Sequence, residues 1–199
     1  MLAIFKREFK SYFQNVIGWL FVAALLAVYG LYFYVYNLKN GYPYISYDLK
    51  GIGFIMMIAV PILTMRSLSD EKKTKTDQLM LTSPVSVGRI VAGKYLAMAA
   101  VYTIDIALFA LSPLVLSIYG KVALSEAYVA LFGYWLYGLS CIAVGLFISS
   151  ISESVIISAI LTFAALFLSY MMQSITGLIS SSENLLTKVL NCFDLYTPF

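Results

Sequence analysis

This sequence predicts an all-α, polytopic membrane bundle with five spans and a cytoplasmic N-terminus. Of its 199 residues, 61% are hydrophobic and only 12% charged, where a soluble domain is roughly 45–50% apolar and about 25% charged. A water-soluble fold of this size has no interior large enough for that surplus. Several apolar runs reach the roughly 20 residues that a bilayer-crossing helix needs. The runs are continuous rather than alternating, and in hydrocarbon the backbone must satisfy its polar groups internally, so they read as helices and not as barrel strands.

The first segment, 1–14, is an interfacial helix. Leu2, Phe5, Phe9, Tyr12 and Phe13 fall on one side, with Lys6, Arg7 and Lys10 largely elsewhere, a pattern suited to lying in the headgroup region. No apolar h-region with a small-residue cleavage site follows these charges, which excludes a signal peptide. The spans are read as Val16–Tyr36, Gly51–Met65 (short, with Pro61 inside), Ile90–Tyr119 (with Pro113 inside), Ala127–Ile151 and Val155–Ile175. Spans one and two make up 16–65, and spans three to five make up 90–175. The tyrosine-rich stretch between the first two spans forms an aromatic belt and an external loop. The segment 176–199 is too interrupted to span and is placed outside. Five spans leave one helix unmatched, so a sixth is expected beyond Phe199.

Basic residues set the orientation. With the N-terminus inside, Lys6, Arg7, Lys10, Arg66, Lys72, Lys73, Lys75, Arg89 and Lys94 lie in the cytoplasm, against Lys39, Lys50, Lys121 and Lys188 outside. Lys6, Arg7, Lys10, Arg89 and Lys94 are read as membrane-interface residues, the last two snorkelling to cytoplasmic headgroups. Histidine is absent, which removes a Ser-His-Asp triad and the commonest metal ligand. Cys141 and Cys192 form no redox or metal motif. No metal site and no nucleic-acid partner are expected. The run "GRIVAGKY" at Gly88–Tyr95 has most of a phosphate-binding loop, but Tyr95 stands where Ser or Thr must ligate magnesium, and no strand precedes it.

Asp105 is the one acid deep in a span. A carboxylate there costs about 2.5–3.5 kcal/mol on insertion scales. Two readings stay open: a structural hydrogen bond to Tyr102 or a neighbouring helix, or a role in transport. Small residues recur at helical spacing as Gly138, Cys141, Gly145 and Ser149, and again as Ser154, Ser158, Thr162, Ala165 and Ser169, a pattern that favours close helix packing.

The polar loop 66–89 contains a small apolar face. Thr76 is a fair N-cap, and Asp77 and Gln78 suit a first helical turn. Pro84 limits the helix that follows. The result is two turns, Asp77–Thr82, offering Leu79, Met80 and Leu81 to a groove in another protein. A solvated linker is the simpler alternative.

The run Arg66–Ala97, "RSLSDEKKTKTDQLMLTSPVSVGRIVAGKYLA", resembles the loop between the second and third helices of ABC-2-type transporter permeases. The matching positions are Arg66, Glu71, Thr76, Leu79, Leu81, Thr82, Pro84, Val85, Gly93 and Lys94. Lys75, Asp77, Gln78 and Met80 depart from the common pattern. "IFKREFKSYFQNVIGWLF" and "FDLYTPF" resemble the family's interface helix and the external segment before its last helix. The chain is most similar to the subgroup of gliding-motility permeases and the permease that serves nitrous oxide reductase maturation.

The resemblance implies a transmembrane domain of six helices, five of them within 1–199, and a bacterial inner-membrane exporter subunit. It implies a separate cytoplasmic ATPase that binds ATP and magnesium, so this chain would be no enzyme and would bind no cofactor itself. It also implies a second permease copy or a homologue, and a transported substrate that the spans do not specify. ATPase coupling would fall to Glu71, Thr76, Asp77, Gln78, Leu79, Met80, Leu81, Thr82 and Pro84. Met56, Met57, Ser158 and Thr162 would be pathway or packing residues, alongside Asp105. The alternative is a non-transporting scaffold or sensor that recruits a cytoplasmic partner.

Overall fold

A computed structural model describes residues 2–42, 44–73, 86–119 and 123–179, which are helical without any strand. The helices are α1 (Leu2–Gln14), α2 (Val16–Tyr32, continued by a π turn over Phe33–Lys39), α3 (Ser46–Thr64) and α4 (Ser69–Lys73). They continue with α5 (Val87–Phe109), α6 (Ser112–Tyr119), α7 (Leu124–Ile151) and α8 (Val155–Ile179). Four stretches are long and apolar enough to cross a membrane: Val16–Lys39, Ser46–Thr64, Val87–Ile118 and Leu124–Ile151. Val155–Met171 of α8 adds a shorter apolar helix. This is the all-α membrane bundle that composition predicts.

The second span, the shortest in the sequence reading, is the centre of the bundle. It begins at Ser46 rather than Gly51 and runs 19 residues, packing against α2, α7 and α8. About 61% of its apolar window is buried, against 28% for the first span. Ile52, Met56, Met57 and Val60 are wholly buried. A helix enclosed on three sides faces protein rather than lipid, so its length need not match the bilayer.

Small residues set how closely its neighbours approach. A side chain at Gly138 of α7 would run into the ring of Tyr102 on α5, and one at Gly145 into Thr64 of α3. Cys141 and Ser149 are buried on the same stripe. The stripe therefore packs α7 on α3 and α5, where hydrophobic burial gives helices little net drive to associate.

Two spans are less regular than the sequence suggests. The first continues past Tyr36 as the π turn, which ends before Gly41 in the left-handed region at φ 69°. Glycine adopts that geometry without steric cost. The third, read as one helix, breaks between Phe109 and Ser112. Pro113 has no N–H for the Phe109 carbonyl four residues back. The Ser112 hydroxyl donates to that carbonyl instead, at 2.7 Å. Tyr29 of α2 hydrogen-bonds to Ser112 Oγ, and its ring stacks on Phe109 at 4.1 Å.

Helix α1 packs on α5 and α2. Its rings form a ladder from Phe5 to Phe9 (5.8 Å), Phe13 (5.0 Å) and Trp19 of α2 (5.4 Å). Trp19 Nε1 donates to the Phe13 carbonyl at 2.9 Å, closing the corner between the two helices.

Candidate functional site at the basic end of the bundle

The loop helix read at Asp77–Thr82, with Thr76 and Pro84 around it, lies outside the described residues. Glu71 falls in α4, but its side chain is outside them too. What the structure does describe is how the two ends of that loop are attached to the bundle.

The departing end is bound to α7. Leu68 and Ser69 open α4, where backbone N–H groups have no partner within their own helix. Both donate to Ser149 Oγ, at 3.2 Å each. A serine from another helix thus does the work of an N-cap. The Ser69 hydroxyl bonds back to the Met65 carbonyl, and Lys72 Nζ donates to the Ser150 carbonyl. Close approach of α3 to α7 at Thr64 and Gly145 brings these groups within reach.

The returning end is bound through Lys94, and here the expectation of snorkelling is corrected. Lys94 is only 2% exposed, and its Nζ donates to the Ser67 carbonyl at 2.8 Å. Glu8 Oε1 of α1 lies 3.7 Å away and also pairs with Arg7 at 2.7 Å. The ammonium turns inward because a carbonyl and a carboxylate meet it there, which offsets the cost of leaving water. Gly93 has its own part: a Cβ at that position would sit 3.0 Å from the Ile4 side chain, so glycine lets α1 lie directly on α5. One buried cation therefore ties α5, the turn after α3, and α1 together.

A polar cavity of about 480 Å³ opens beside this junction, lined among others by Arg7, Glu8, Tyr12, Arg66, Asp70 and Lys94. Lys6, Lys10 and Arg89 are exposed, and Arg7 is exposed in its pair with Glu8. These charges, with Arg66 and Lys72, gather at one end of the bundle, the end that the basic-residue count places in the cytoplasm.

The other site residues read from the sequence lie deeper. Met56 and Met57 are buried in α3, and Ser158 and Thr162 are buried on α8. Thr162 Oγ1 donates to the Ser158 carbonyl at 2.8 Å. Asp105 is fully buried, and neither carboxylate oxygen has a hydrogen-bond partner among the described residues. The suggested bond from Tyr102 is not formed: that hydroxyl donates to the Tyr134 carbonyl at 2.7 Å.

Sequence reasoning missed Ser149 as an acceptor, having read it only as a small packing residue. It also missed the opposite end, where buried Asn37 of the π turn donates to buried Asp48 of α3. The signal for that pair was an asparagine and an aspartate flanking one short external turn.

A family model described as "ABC-2 family transporter protein" matches residues 8–199. No curated protein and no solved structure matches the chain.

Proposed function

Because this chain belongs to the ABC-2 family of transporter proteins, we propose that it is the permease subunit of an ATP-driven exporter in a bacterial inner membrane. Members of this family are the transmembrane components of ABC transporters and work with an ABC ATPase subunit. The partner subunit binds and hydrolyses ATP with magnesium, and a second permease copy or a homologue completes the pathway. The loop helix Asp77–Thr82 docks on the ATPase through Leu79, Met80 and Leu81, with Thr76, Asp77, Gln78, Thr82 and Pro84 shaping it and Glu71 leading into it.

The observation that carries this reading is the attachment of the loop. A linker that only joined two spans would not need its first N–H groups held by Ser149, nor its return helix held to the Ser67 carbonyl by a buried lysine. Those bonds give a pull on the loop a route into α7, α5 and α1. Met56, Met57, Ser158 and Thr162 are closed off within a single copy, so a pathway along α3 and α8 opens by movement of those helices.

The test is co-purification with the cognate ATPase from cells expressing both. The double variant Leu79→Asp, Leu81→Asp is expected to lose the ATPase while remaining in the membrane. Retention of the ATPase by that variant would sink the docking assignment. ATPase recruitment with no ATP-dependent solute movement in vesicles would favour the scaffold reading.

A further inference from the structure

We infer that the outer face of the bundle between α1, α5 and α7 binds an anionic phospholipid of the cytoplasmic leaflet. A groove of about 1020 Å³ lies there. Leu2 and Phe5 wall its α1 end, Ala100, Thr103 and Ala107 form its floor, and Trp135 of α7 flanks it beside Thr103. Its floor is cut by residue size: alanine and threonine occupy positions where an exposed membrane helix ordinarily carries larger apolar side chains, as α8 does with Ile156, Ile160 and Leu168.

Three features identify the occupant. The first is length. From Leu96 to Ala107 the groove follows α5 for about 16 Å at 1.5 Å per residue, roughly half of a hydrocarbon core about 30 Å thick. It is as deep as one leaflet. The second is polarity. Thr103 Oγ1 donates to the Ala99 carbonyl at 2.7 Å and accepts from Trp135 Nε1 at 3.1 Å, so the polar atoms of the lining already serve each other. The interior suits an acyl chain.

The third feature is charge. Arg89 stands 7, 11 and 18 residues before Leu96, Ala100 and Ala107, close to whole numbers of turns at 3.6 residues each. It therefore shares their face of α5, about 10 Å on the loop side of Leu96, and it is exposed. Lys6 is exposed one turn after Leu2 on α1. Glu8, the acid of α1, is turned to Arg7 and Lys94 on the opposite side. Two exposed cations on the cytoplasmic side of a leaflet-deep apolar slot match a phosphate headgroup with its chain below. They would repel their own copies across a twofold contact with a second chain.

The probe is a phosphatidylglycerol with a photoreactive diazirine midway along one acyl chain, in phosphatidylcholine vesicles holding the full chain. Illumination is expected to label residues 96–107. Unlabelled phosphatidylglycerol should compete better than phosphatidylcholine. Lys6→Gln and Arg89→Gln, both at exposed positions, should each lower that preference about five-fold, the effect of one basic residue at an anionic surface. Ala100→Phe should abolish labelling from either lipid with helix content unchanged. Label outside 96–107, equal competition by the two lipids, or a preference unmoved by the glutamine variants would overturn the proposal. So would a disulfide between two copies of a Thr103→Cys variant formed in native membranes.

Discussion

At the basic end of the bundle, the chain leaving α3 is held by bonds between side chain and backbone: Ser149 takes two of its N–H groups, Lys94 takes the Ser67 carbonyl, and Lys72 reaches the Ser150 carbonyl. At the opposite end, side chains meet side chains, Asn37 with Asp48 and Tyr29 with Ser112. There the helices are also interrupted, by the π turn before Gly41 and by the break before Pro113. Each bond at the basic end has one partner fixed in the backbone and one side chain that can turn, whereas a side-chain pair has rotamers on both sides. Under the proposed coupling role, the basic end carries a displacement between helices and the opposite end accommodates one.

Lys94, at the basic end, and Gly138, on the packing stripe of α7, should show the larger effects. Lys94→Met leaves the buried Ser67 carbonyl without its donor and Glu8 with Arg7 as its partner, at about 1–3 kcal/mol. A pronounced fall in the thermal unfolding midpoint of the detergent-solubilised protein is expected; an unchanged midpoint would remove Lys94 from the junction. Gly138→Leu drives a side chain into the Tyr102 ring and should cost about 1–3 kcal/mol through overpacking, seen in the same measurement. A neutral result would mean that α7 and α5 are not in close contact.

Ser149→Ala deprives two N–H groups of their acceptor, at about 1–2 kcal/mol. Its expected mark is local. Amide exchange at Leu68 and Ser69 should quicken, and ATPase binding should persist while its stimulation by the permease falls. Equal loss of binding and stimulation would make Ser149 part of the dock rather than of the link behind it. The smallest effect is expected of Asp105→Asn. Neither carboxylate oxygen has a hydrogen-bond partner among the described residues, so assembly and most transport should survive. Abolished transport with normal assembly would give Asp105 a pathway or proton role.

The sequence made the spans legible because continuous apolar runs report directly on burial in lipid. It misjudged where they bend. Pro113 marks a possible break, but only the Ser112 hydroxyl and its bond from Tyr29, 83 residues away, let the break sit in the bundle. The π turn over Phe33–Lys39 is invisible for the same reason, since Asn37 is drawn inward by Asp48. Gly93 and Lys94 were legible as a pair typical of the family, though their work was not. The glycine makes room for Ile4, and the lysine turns inward to Ser67 rather than outward to headgroups. A lysine near a membrane boundary reads as a snorkel unless the carbonyl that captures it is known, and that carbonyl lies 27 residues away.

The central claim is that the loop between α3 and α5 connects this permease to its ATPase. It is tested most directly by the rate of ATP hydrolysis when the cognate ATPase is reconstituted with the permease in lipid vesicles. With the wild-type chain the rate should rise above that of the ATPase alone. With Leu79→Asp, Leu81→Asp it should return to the level of the ATPase alone; hydrolysis stimulated as fully by that variant as by the wild type would contradict the account.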